Sequence, residues 1–85
     1  MRPEELLDRI RRGEIVNVRF AEFVRPLEAL GFHRVRTRGS HHVFVHPRVP
    51  RSSPMQSERG EAKPYQLRQL LRLQQVYNLS LEEPG

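Results

Sequence analysis

The apolar positions along the chain change period part-way. Leu6, Leu7 and Ile10 recur at the three-to-four-residue spacing of one helical face, in a segment that opens at Pro3 and stops at Gly13. Proline is tolerated in a first helical turn, where its missing N–H has no intrahelical partner to lose, and glycine suits the left-handed residue that ends a helix. A second stripe follows in Phe20, Phe23, Val24, Leu27 and Leu30, closed by Gly31. Pro26 lies inside that stripe and predicts a kink or a restart, because its ring displaces the carbonyl four residues earlier.

From His33 the period drops to two. RVRTR, a Gly-Ser pair and HHVFVHP read as a β-hairpin. PRVPRSSP, with its three prolines, reads as a loop, and MQS after it as a short third strand. The chain closes on KPYQLRQLLRLQQVYNLSLEE, a helix with Pro64 in its first turn, Leu67, Leu70 and Leu71 as its apolar stripe and Asn78 as a left-handed cap. The order helix, helix, strand, strand, weak strand, helix predicts an α+β sandwich, with helices on one face of a small three-stranded antiparallel sheet. At 85 residues the chain sustains a single core, so residues 1–85 are expected to form one domain.

Composition narrows the functional classes. Charged residues make up 29% and hydrophobic residues 36%, a balance that suits a soluble folded chain rather than a disordered one. No apolar run approaches the roughly 18–20 residues needed to span a membrane. The opening MRPEELLDRIRR is charged throughout and lacks the apolar stretch of a secretory signal. With no cysteine, disulfides and thiolate metal sites are excluded, and a cytoplasmic location with no membrane partner is the expectation.

Charge changes the picture more through its placement than its total. Residues 1–32 hold six arginines and six acids, and residues 60–85 hold three basic and three acidic groups. The whole net charge of +5 therefore lies in residues 33–59, where six arginines face Glu58 alone. All four histidines fall in the same window. A focused basic patch, built almost wholly from arginine, predicts an anionic partner, and planar two-pronged recognition of phosphate is what arginine does best. The bland alternative is a solvated basic hairpin.

Three of the histidines crowd into RGSHHVFVH. Strand alternation puts His41 on the face of Val43 and Val45, and His42 on the face of Phe44 and His46. His42 and His46 are then roughly 13 Å apart, too far to share an ion whose ligands lie about 2 Å from it. His33 offers at most a second ligand, with no carboxylate nearby, so no metal is expected. Acid–base chemistry fits better, since an imidazole titrating near pH 6.5 takes up a proton at cellular pH. RNA cleavage needs such a base for the 2′-hydroxyl and a cation to stabilise charge on the phosphorane. His41, at the mouth of the turn, is the candidate base, with Arg38 and either Arg36 or Lys63 supplying charge. Against this stands the structural reading, in which a strand histidine is only a strand residue; His42 and His46 fit that reading or a contact to phosphate. Tyr65 and Tyr77 read as core or cap residues, Arg68 and Arg72 as a solvated helical stripe, and Glu82 and Glu83 as an acidic end.

VRFAEFVRPLEALGF, RGSHHVFVHP and GEAKPYQLRQLLRLQQVYNLSLE, over roughly residues 17–82, resemble the HicA toxin family, also called YcfA-like mRNA interferases. The Gly39–Ser40–His41–His42 element is the most specific part of the likeness. The resemblance implies a double-stranded-RNA-binding-like fold over residues 17–82, with residues 1–16 as an N-terminal helical extension. It also implies a metal-independent endoribonuclease, without cofactor, that cleaves mRNA and is neutralised by a HicB-like antitoxin. His41 takes the family's catalytic position, and Arg36, Arg38, Gly39, Ser40, His42 and Lys63 are expected to hold the RNA. Two other classes remain open from the residues themselves: a non-catalytic module that recognises RNA by shape and phosphate contacts, and a component of a regulatory complex whose basic face is covered by an acidic partner.

Overall fold

The computed structural model describes residues 2–14 and 16–81. Three helices and three strands follow the order α1 (Pro3–Arg11), α2 (Phe20–Ala29), β1 (His33–Arg38), β2 (His41–His46), β3 (Val49–Gln56) and α3 (Pro64–Val76). The strands form one antiparallel sheet in the order β1-β2-β3, so β2 is central and both others are edges. This is the α+β arrangement that the hydrophobic periods predict. Glu82 and Glu83 lie outside the described residues. Among the described residues no helix is long and apolar enough to cross a membrane.

The core lies between the helices and one face of the sheet. Phe23, Leu27, Phe44, Leu67 and Leu70 are fully buried there, drawn from α2, β2 and α3. Leu6, Leu7 and Ile10 of α1 join the same cluster, and α1 packs against both α2 and α3. The helix ends follow from local chemistry. After α2, Gly31 sits at φ 102°, its N–H donates to the Glu28 carbonyl and the Phe32 N–H to the Leu27 carbonyl. This paired closure satisfies carbonyls that a helix end leaves bare, and it turns buried Phe32 back onto the core. Asn78, at φ 51°, ends α3 in the same way, with the Leu79 N–H on the Gln74 carbonyl.

One expectation is corrected and a second is narrowed. The three-proline stretch is not a loop: β3, from Val49 to Gln56, is the longest strand. Its prolines survive because β3 is an edge. The Ser57 N–H donates to the Ser40 carbonyl, and bonded and non-bonded pairs alternate along an antiparallel ladder. Pro54, opposite Val43, therefore falls at a non-bonded pair and forfeits no ladder bond. Pro50 lies where the register slips between the His46–Val49 and Phe44–Ser53 pairs. Pro26, for its part, does not restart α2, which runs unbroken through it. Being near the C-terminus, it costs the helix a single N–H, while its ring is buried in the core and its carbonyl still accepts from Leu30.

Tyr77 caps α3 and packs against the core, whereas Tyr65 is exposed, as are Arg68 and Arg72. Because α1 supplies three buried side chains, Leu7→Ala is expected to lower unfolding free energy by about 2–5 kcal/mol. Chemical denaturation measures it; a loss well under 1 kcal/mol would show that α1 adds little to the core.

Candidate active site

Gly39 and Ser40 form a two-residue hairpin turn between the paired residues Arg38 and His41. Gly39 sits at φ 58°, a conformation that two-residue hairpins require at the first central position and that glycine adopts without strain. The turn sets the register for everything beside it. Counting from the Arg38–His41 pair, Thr37 opposes His42, Arg36 opposes Val43 and Arg34 opposes Phe44. The extra residue is Val35, a bulge that leaves its side chain 60% exposed. Without it, Arg34, Arg36 and Arg38 would share one face. With it, Arg34 and Thr37 face the helices, while Arg36 and Arg38 face outward.

The outer face thus carries His33, Arg36, Arg38, His41, Val43, Val45 and Gln56, since directly paired residues share a face. His41 is exposed on the central strand, with Arg38 opposite on β1 and Gln56 opposite on β3. No carboxylate occurs between Phe32 and Glu58. Ion pairs among the described residues include Arg2 with Glu4 and Glu5, Arg11 with Asp8, and Arg12 with Glu14, all away from the sheet. Among the described residues, Arg36 and Arg38 have no acidic partner, so their guanidinium donors remain available to a phosphate.

His42 and His46 face the other way. The His42 ring stacks on Phe20 at 4.6 Å, and its Nδ1 lies 3.3 Å from Arg34 Nη1 and 3.5 Å from the Thr37 hydroxyl. A guanidinium only donates, so Nδ1 accepts and the neutral ring carries its proton on Nε2. Burial pushes the His42 pKa below the ordinary 6.5, and the neighbouring charges of Arg34 and then His41 push the same way. Arg34 itself lies over the Phe44 ring at 5.9 Å. His46 is a structural staple: Nε2–H donates to the Leu30 carbonyl at 2.8 Å, Nδ1 accepts from the Arg48 N–H at 3.0 Å, and the ring edge meets Phe32. The two rings are therefore committed to separate partners, and among the described residues no three candidate ligands come together around a metal position.

Of the residues expected at the site, Arg36, Arg38, Gly39, Ser40 and His41 gather at the turn and on the outer face. His42 is adjacent in sequence but lies behind the sheet, at a cleft of about 430 Å³ shared with Phe20, Val24 and Ser57. Lys63 is exposed at the N-cap of α3. Its link toward the sheet is through its backbone carbonyl, which accepts from the Gln66 N–H one turn later. Gln66 is 1% exposed; its side-chain carbonyl accepts from the Gln56 N–H at 2.6 Å and its amide donates to the Gln56 carbonyl at 2.7 Å. Sequence reasoning missed Gln56, Gln66 and Arg34. Gln56 lies in the short third strand expected at MQS, but without the pairing of β3 with β2 nothing places it opposite His41.

His42 supplies a pH prediction. Its folded pKa is depressed, so its contribution to stability is complete above about pH 6.5 and is lost as pH falls through the folded value. Expected by NMR is an imidazole titration midpoint below 6.5, and His42→Phe should flatten the acid limb of the stability profile. A midpoint above 6.5 would contradict the packing described.

No curated protein and no solved structure matches the chain. The family model described as HicA toxin of bacterial toxin–antitoxin systems matches residues 20–76, from the start of α2 to the end of α3 and across the whole sheet. That span is more than half of the chain and contains the turn, His41 and both glutamines, and the protein belongs to the HicA toxin family of bacterial toxin–antitoxin systems.

Proposed function

We propose that this toxin is a metal-independent endoribonuclease that cleaves mRNA in the cytoplasm with His41 as general base, and that a HicB-like antitoxin neutralises it. One observation carries the reading: His41 is the exposed imidazole of the central strand, beside Arg38, on a face without carboxylates. In the proposed step the imidazole takes the proton of a ribose 2′-hydroxyl, and the 2′-oxygen bonds to the adjacent phosphorus. The bond from phosphorus to the 5′-oxygen then breaks, and a general acid returns a proton to that oxygen. Products are a 2′,3′-cyclic phosphate and a 5′-hydroxyl. Arg38 is positioned to offset charge that builds on the phosphorane, with Arg36 along the same face and Lys63 as the alternative cation. Gly39 and Ser40 present the turn to the backbone of the RNA, and His42 braces it from behind. An antitoxin with acidic surface would silence the enzyme by covering this face, since opposite potentials both guide and strengthen such an encounter.

Cleavage of a labelled mRNA by wild type and His41→Ala, with EDTA present, tests the step. Expected is cutting by the wild type in chelator, loss of cutting in the variant, and unchanged RNA binding by both. If both bind and neither cuts, a non-catalytic RNA-binding module becomes the better account.

The arginines give a second test. Arg36→Gln and Arg38→Gln are each expected to reduce the slope of log affinity against log salt by about 0.7–0.9, the value for one phosphate contact. Titrations at several salt concentrations measure it; an unchanged slope in both variants removes the outer face as the phosphate-binding surface.

A further inference from the structure

Gln66 is a polar side chain sealed into the core side of the fold, and neither the helix nor the core needs it there. Burying an amide is costly unless its donors and acceptor are met. Here the amide is used in full register, one bond to the N–H and one to the carbonyl of the same residue, Gln56. That pairing is what a neighbouring strand would supply. β3 is an edge, and at Gln56 its polar backbone groups point away from β2, because the His41–Gln56 pair is a non-bonded one. α3 therefore completes the open edge of the sheet with a single side chain, at the β3 position that lies directly across from His41.

We propose that Gln66 is a positioning residue for His41, acting through the backbone of Gln56; this rests on the reading of His41 as the base. In a non-bonded antiparallel pair the two Cα atoms approach to about 4.5 Å, so His41 and Gln56 are direct cross-strand neighbours on the outer face. A shift of Gln56 is then a shift of the imidazole's neighbour. The next residue extends the coupling, since the Ser57 N–H holds the carbonyl of Ser40 in the turn itself. On the helix side, the Gln66 backbone N–H donates to the Lys63 carbonyl, so one residue links the start of α3 through its backbone and the edge strand through its side chain. Displacing a catalytic group by about 1 Å costs on the order of a hundredfold in rate. Gln66 touches no substrate, and its loss should appear in turnover rather than in RNA affinity.

Gln66→Leu removes both bonds at similar volume. With a labelled RNA, and at a temperature where circular dichroism shows the variant folded, kcat is expected to fall about tenfold or more. KM, and the Kd for RNA made uncleavable by 2′-O-methylation, should stay within about twofold, the resolution of such titrations. A folded variant with wild-type kcat, or one whose loss lies in KM and Kd, overturns the proposal. Gln66→Glu covers the case in which the leucine variant does not fold. A protonated carboxyl restores both bonds, its O–H donating to the Gln56 carbonyl, whereas the carboxylate loses that donor and faces the carbonyl oxygen. The ratio of its kcat to the wild type's, which cancels the titration of His41, should climb as pH falls; a flat ratio also overturns the proposal. His41→Ala separates the two levels. If it cuts like the wild type, the base reading fails whatever Gln66 does; if it is dead while Gln66→Leu is fully active, only the positioning role fails.

Discussion

The register imposed by the Gly39–Ser40 turn governs this molecule. Side chains on a strand alternate with a period of two, so a slip of one residue would bury His41 against α2 and turn His42 outward. The turn prevents that slip by closing on the Arg38–His41 pair, with Gly39 alone in the positive-φ region that the turn demands. From that one closure follow the outward His41, the inward stack of His42 on Phe20 and the burial of Phe44. The Val35 bulge then makes a second decision of the same kind, moving Arg36 to the face of Arg38 and leaving Arg34 behind the sheet.

A sheet with several arginines and no acid is electrostatically unfavourable in isolation, and the fold offsets this from the opposite face. Phe44, Met55 and Val49 on the inner side bury fully against the helices, and the rings of His42 and His46 pack on phenylalanines there. The outer side is left to its charge. Helix closures after α2 and α3 use left-handed residues whose N–H groups satisfy the terminal carbonyls, so the frame beneath the sheet has few polar loose ends. β3 is an edge with outward backbone groups, and there Pro54 removes one N–H while the Gln66 amide pairs both groups of Gln56. The same elements that stabilise the sheet thus leave its outer face free for an anion.

Much of this was legible along the chain. The helical stripes from Leu6 and from Phe20, the Gly-Ser turn and the placement of His41 opposite His42 follow from short-range rules, because helical and strand periods and turn chemistry are local. Of β3 only the MQS end was legible; the rest was hidden, since prolines on an edge strand look the same in sequence as prolines in a loop, and only pairing with β2 distinguishes them. Pro26 did not restart α2, since one missing N–H leaves the remaining helical bonds in place.

The sequence by itself determined the element order, the concentration of positive charge in residues 33–59 and the opposition of the two adjacent histidines. Each rests on composition or on neighbours a few residues apart. The tertiary structure alone decided that Arg36 joins Arg38, that Gln56 stands across from His41, and that Gln66 seals the edge at that point. These depend on a bulge, on strand pairing and on a helix docking ten residues away, contacts whose partners are chosen by packing of the whole core and leave no period in the chain to read.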